Sequence, residues 1–152
     1  MSYVVPRGLV DEFYRAYAAR DAAKVAKFLD DDVEWCISGP VDVLPFCGQR
    51  HGKAAVLDII ERVVPDVFCI YSFLVDQVLI DGDRVATLNR LAARRSEDDR
   101  VISYRLAHFL RFRDGKIIEN LSLIDSFDAA EQVLGISLTG YHCAGMGDLV
   151  AV

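Results

Sequence analysis

Three groups of side chains in this 152-residue chain have the types needed for proton chemistry. The first is His108, in the run YRLAHFLRFRDGK (104–116). Alternation places it with Tyr104, Leu106, Leu110 and Phe112 on one apolar face. Arg105, Ala107, Phe109, Arg111 and Arg113 take the other. An imidazole titrates near neutral pH and can both donate and accept a proton. On an apolar face it is either a core residue with a hydrogen-bond partner or a group lining a pocket, and alternation alone leaves both open. The second is Asp125, which follows Leu121 and Leu123 on one face of the next strand. Aspartates are rarely buried unless paired. Asp125 either lines a pocket or caps the helix that follows, a role Ser126 and Asp128 could also fill. The third is the aromatic set Phe13, Tyr14 and Tyr17 at helical spacing. Such residues pack a core, but a phenol turned into a pocket can donate to a substrate carbonyl, and Tyr17 is the better placed of the two.

Further candidates carry weaker signals. Trp35 reads as an aromatic wall, able to stack on a planar ligand. His51, in a loop between Gly48 and Gly52, is either solvated or at a pocket mouth. Asn89 and Arg90 take opposite faces of one strand, and Asn120 has the parity opposite to Asp125 and is assigned to the outer face.

The elements that must position these groups follow from the chain's periodicity. Residues 8–19 carry Leu9, Val10, Phe13, Tyr14 and Tyr17 at helical spacing. Asp21 is an N-cap for a second short helix using Val25, Phe28 and Leu29, which stops in Asp30-Asp31-Asp32. A strand over 33–37 and a Gly/Pro-containing loop over 38–52 come next. The spacing predicts a third helix over 53–64, ended by Pro65. From there the pattern turns to long strands over 68–80, 84–94, 101–112 and 116–124, with turns at Asp81-Gly82, Ser96–Asp99 and Asp114-Gly115. A last helix, 127–134, closes on Gly135. Helices followed by an antiparallel meander give the α+β class. A sheet of this kind can curl over its helices and leave an apolar pocket on the concave side.

Composition bounds the partners. The chain is long enough for one domain, 1–152, with an apolar Gly-containing tail at 136–152 whose structure the pattern does not reveal. A net charge of −6 argues against nucleic acid and anionic membranes. The opening MSYVVPRGLVDEF lacks the pattern of a signal peptide, and no apolar run has the length of a membrane span. Cys36, Cys47, Cys69 and Cys143 form no CxxC pair, and with three scattered histidines they give no zinc signature. Reduced thiols in a cytoplasmic protein are expected, with no metal.

Taken in order, GQRHGKAAVLDII, DGDRVA and HFLRFRDGKIIENLSLIDSFDAAEQVLG resemble the nuclear transport factor 2-like superfamily, and within it the SnoaL-like polyketide cyclase and ketosteroid isomerase-like branch. The resemblance implies a cone-shaped α+β barrel, its curved sheet packed on the N-terminal helices around a hydrophobic pocket. It also implies a homodimer through the outer sheet face. It does not imply one activity, because the fold hosts several. In SnoaL-like cyclases a histidine upstream of FRF-x-DGK and an aspartate ending the next strand do acid–base chemistry, and the matching positions are His108 and Asp125. Matched to ketosteroid isomerase, the base position holds Trp35, the helix-one tyrosine position holds Phe13, and the acid position holds His108. That route therefore lacks its base. The Arg-x-Asp of limonene epoxide hydrolase-like enzymes is absent from the chain. The expectation is a binder of a small hydrophobic carbonyl compound, with no cofactor. Asp125 is its acid/base, His108 the proton partner, Tyr17 a second donor, and Trp35, Phe13, Tyr14, Tyr104, Leu106, Leu110 and His51 line its pocket. Such a protein is a cyclase, isomerase or dehydratase, or else a non-catalytic ligand-binding or dimerisation module.

Overall fold

The computed structural model describes residues 3–138. Helix α1 (Arg7–Ala18) buries Val10, Phe13, Tyr14 and Ala16 on one face, as its spacing predicts. Asp21 accepts a hydrogen bond from the Lys24 N–H and caps α2 (Ala22–Ala26). That helix ends earlier than its apolar spacing suggests. Leu29 opens β1 (Leu29–Ser38) instead, running through the three aspartates. Inside the expected loop, residues Gly48–His51 form a short strand, β2, antiparallel to β1.

The third helix holds the largest departure in local structure. It begins as α3 (Lys53–Asp58), widens to a π-helical segment at Ile59–Val63, and continues as α4 (Val64–Val67). Pro65 does not stop it, because a proline in the first turn of a new helical stretch forfeits no required N–H bond. The long strands follow as β3 (Phe68–Asp81), β4 (Arg84–Arg95), β5 (Val101–Arg113) and β6 (Lys116–Ile124). Helix α5 (Ser126–Leu134) ends on Gly135, whose φ of 72° is the left-handed value that favours glycine.

The six strands form one curved, unclosed sheet in the order β2-β1-β6-β5-β4-β3. The meander β3 to β6 is antiparallel, but β1 joins β6 in parallel, so the sheet is mixed. A parallel neighbour needs a long crossover, and here the whole α3-to-β5 stretch supplies it. On the concave side, Val33, Trp35, Ile37, Phe73, Leu91, Leu106, Leu110 and Phe112 pack against α1 and the α3–α4 segment in one buried cluster. The convex side keeps Leu74, Leu79, Phe109, Leu121 and Leu123 exposed. No helix among the described residues is long and apolar enough to cross a membrane. Beyond its first three residues, the tail read from the sequence as 136–152 lies outside the described residues.

Candidate functional site

The chemistry centres on His108, in the middle of β5 and fully buried. Strand alternation turns it inward, and its cross-strand neighbours on that face are Thr87 on β4 and Ser122 on β6. Below it lies a chain of buried polar groups. Asn89 Nδ2 donates to Thr87 Oγ1 at 2.9 Å, Thr87 Oγ1 and Tyr14 Oη are 2.6 Å apart, and Tyr14 Oη is 2.9 Å from His108 Nδ1. Stacked and edge-on contacts with Tyr14, Phe73 and Tyr17 fix the imidazole plane.

With the Asn89 amide donating to Thr87, counting protons along this chain gives the tautomer. Thr87 Oγ1 already accepts from Asn89, so its own hydrogen donates to Tyr14 Oη. The tyrosine then donates onward to His108 Nδ1. The reverse direction needs the Asn89 amide turned over, so that its Oδ1, which has no partner among the described residues, accepts from Thr87. His108 therefore carries its hydrogen on Nε2, a buried atom with no partner among the described residues. Burial, and secondarily the positive charge of Arg20, push its pKa down to about 3, so the ring is neutral at physiological pH. Burial likewise raises the Tyr14 and Tyr104 phenols far above their usual value, keeping both as neutral hydroxyls.

His108 borders a narrow cavity beneath α1, together with Tyr17, Arg20, Tyr104 and Ser122. Its walls are apolar, from Ile37, Phe46, Ile59, Val64, Leu106 and Ile124 among others. The free space is about 30 Å³, room for roughly one water. A much larger depression, about 580 Å³, lies on the convex face around Leu79, Phe109 and Leu121 and holds none of these groups. A neutral imidazole N–H at the edge of a small, largely apolar cavity can polarise a carbonyl or hold a developing oxyanion. Among the described residues, no His/Cys/Asp/Glu cluster is arranged to hold a metal ion.

Comparison with known proteins places this architecture. A family model of the SnoaL-like domain matches residues 10–120, well over half the chain. The protein belongs to the SnoaL-like family. A candidate isomerase from Rhodopseudomonas palustris is 35% identical and superposes with a TM-score of 0.72, over 84% of this chain and 93% of that one. A nuclear transport factor 2-like protein from Burkholderia xenovorans shares the fold at 19% identity, with a TM-score of 0.68 over 83% and 93% of the two chains. A protein from Catenulispora acidiphila with a ketosteroid isomerase-like fold, solved with trimethylamine, shares it at 11% identity, with a TM-score of 0.70 over 87% and 95%. No curated protein gives a significant match.

Within this SnoaL-like frame the expected site residues separate. His108, Tyr17, Tyr104 and Leu106 border the cavity together. Tyr14 sits behind His108 as its hydrogen-bond partner. Phe13, Trp35 and Leu110 are core residues that do not border the cavity. His51 is at the surface, its Nδ1 2.5 Å from Glu34 Oε1, and that contact holds the Glu34 carboxyl below its usual range.

Asp125 is the main correction. It is exposed on the convex side, near Arg90 and Arg105, and shares no cavity with His108. It stands at the N-cap position of α5 without a side-chain capping bond. The cause is one residue in β6. The Asp114-Gly115 hairpin pairs Arg113 with Lys116 and Phe112 with Ile117, but Arg111 then pairs with Glu119, leaving Ile118 as a bulge. One extra residue exchanges the two faces of the rest of the strand. Asn120 and Ser122 therefore turn inward, contrary to the assignment of Asn120 from parity, while Leu121, Leu123 and Asp125 turn outward. The groups that sequence reasoning missed are Thr87 and Arg20. Asn89 resolves inward, and Arg90 resolves outward into a bidentate pair with Asp76.

Proposed function

We propose that this SnoaL-like protein binds a small hydrophobic carbonyl compound beneath α1, with the carbonyl oxygen accepting a hydrogen bond from His108 Nε2–H. The observation that carries this reading is the fully buried Nε2 without a partner, held at the end of a hydrogen-bonded chain in an apolar cavity. A buried donor left unmade costs about 1–3 kcal/mol, which a ligand acceptor would recover. Tyr17, on the same cavity, serves as a second donor. Because the free space holds roughly one water, the ligand must displace wall residues, and Phe46, Ile59 and Val64 lie outside the sheet and can yield without breaking it.

In the catalytic form of this reading, His108 stabilises an enolate while a proton leaves the adjacent carbon. That step underlies cyclases, isomerases and dehydratases alike. No carboxylate borders the cavity among the described residues, so the form fits substrates whose proton is already acidic enough for water to take. The same observation favours a second reading, a binding module without turnover. 1-Phenylbutane-1,3-dione in D2O, whose methylene protons are acidic enough for water to take, separates them. Binding that shifts the His108 ring resonances supports the site, and methylene deuteration above the uncatalysed rate that falls away in H108Q supports catalysis. Binding with no accelerated exchange supports the module, and no binding to the unaltered protein overturns both. We further propose that two copies pair through the exposed Phe109, Leu121 and Leu123, with light scattering of L121R as the check, and that the protein works in the cytoplasm with Cys36, Cys47 and Cys69 as free thiols.

A further inference from the structure

Arg20 is the sole charged residue bordering the cavity among the described residues. Several independent features set it apart. Its φ is 55°, a left-handed backbone that a branched-at-nothing but long L side chain adopts at a cost and that glycine takes freely at a helix C-terminus. The conformation is fixed by the hydrogen bonds from Arg20 N–H to Tyr17 O (3.1 Å) and from Asp21 N–H to Ala16 O (3.2 Å). The guanidinium lies over the Tyr17 ring, 5.0 Å from its centroid, at the cavity. No carboxylate pairs with it among the described residues. The adjacent Asp21 is engaged elsewhere, accepting from the Lys24 N–H, with Lys24 Nζ 3.8 Å away. Arg7, Arg62, Arg90, Arg95, Arg111 and Arg113 each have an acidic partner; Arg15, Arg84, Arg94 and Arg105 have none among the described residues either, and what distinguishes Arg20 from them is its place on the cavity.

We propose that Arg20 is an anion anchor, and that the ligand of this site is an amphiphilic acid: an apolar body with one oxygen for His108 Nε2–H and a carboxylate, or comparably acidic enol, for the Arg20 guanidinium. The inference rests on the carbonyl-binding reading above and narrows its substrate class. A half-buried guanidinium beside apolar walls has a planar fork of donors that matches a carboxylate and is weakly hydrated enough to be used there. Both groups border the Tyr17 ring, the guanidinium 5.0 Å and the imidazole 5.5 Å from its centroid, so a ligand that meets both carries two oxygen functions separated by a short spacer. Strained backbone held at a cavity is a pattern seen where function retains it.

The test uses three keto acids, benzoylformate, 3-benzoylpropionate and 4-benzoylbutyrate, each beside its methyl ester. Acid and ester share the ketone and differ in charge. Titration calorimetry on the full chain should show at least one acid binding roughly tenfold or more tighter than its ester. R20Q should remove that preference and leave ester affinity within about twofold, while R20K retains part of it. R20G should lose the preference and also raise Tm, because glycine relieves the left-handed backbone. Esters that bind as tightly as their acids would overturn the anchor and leave the carbonyl site standing. An acid preference that survives R20Q would do the same. Failure of every acid and ester to bind would overturn both.

Discussion

Acid should destabilise this protein through His108 in a way that a single substitution can isolate. The ring is fully buried, and burial holds its pKa near 3, against 6.5 for an ordinary histidine. The folded-state pKa is depressed, and the neutral form is the one the fold prefers. Above pH 6.5 neither state is protonated, and His108 makes no pH-dependent contribution. As pH falls below 6.5, the unfolded chain binds a proton that the native state refuses, so stability declines until the pH approaches 3. The linkage relation with these two values gives a loss of about 2 kcal/mol at pH 5 and about 3 kcal/mol at pH 4, approaching one proton's slope per pH unit. Other groups also respond to acid, among them Glu34, Asp58, Asp76 and Asp98, whose carboxyls their partners hold below the usual range. Urea denaturation of the parent and of H108Q at half-unit steps from pH 7 to pH 4 subtracts that shared background. The parent should be steeper than H108Q by about one proton's slope between pH 6 and pH 4. The His108 ring carbons should keep neutral-form shifts down to pH 4, a measurement that does not depend on how stable H108Q is. Parallel stability profiles, or a His108 that titrates near pH 6, would refute the burial of a neutral ring.

The remaining expectations follow from the same geometry. Y14F keeps the ring packing but strands Thr87 Oγ1 and His108 Nδ1, so it should cost about 2 kcal/mol in chemical denaturation, and combining it with T87V should add less than the sum of the two. Long-range ¹H–¹⁵N spectra should show His108 as the Nε2–H tautomer in the parent, and a majority Nδ1–H form would reverse the donor chain. D125N should leave ketone binding unchanged and shift stability by less than about 0.5 kcal/mol, since the carboxylate is exposed and makes no capping bond. G135A should lose about 1 kcal/mol or more, because alanine is strained at φ 72° and its Cβ would meet Arg100 Nη1 at 2.5 Å.

The long strands and their turns were legible because each has a clear signal: period-two alternation between Asp-Gly turns. His108 was legible for the same reason, since alternation fixed its face. Its partners were less so. Tyr14 and Thr87 are 73 residues apart in sequence, and their contact exists only once α1 lies across β4. Asp125 was misplaced because parity was counted through β6 as if the strand were regular. The adjacent Ile117 and Ile118 break the alternation and mark the bulge, a signal present in the sequence. Strand β2 was hidden because four polar residues, Gly48-Gln49-Arg50-His51, are too few to show a periodicity. Arg20 carried no signal of its own; nothing local distinguishes a guanidinium facing solvent from one facing a cavity.

The π-helical segment at Ile59–Val63 has a consequence for how this site can diversify. It holds about one residue more per turn than the α-helix on either side, and Ile59 at its start and Val64 just past its end both border the cavity. Deleting one residue there would restore an ordinary helix and rotate everything on one side of the deletion by about 100° relative to the other. The sheet, with His108 and its hydrogen-bonded chain, would stay where it is. A lineage could thus exchange the wall of the cavity in one genetic step, by insertion or deletion, while the polar floor is inherited unchanged. Length variation at this one turn, more than point substitution along β5, is where relatives with the same floor would come to accept differently shaped ligands.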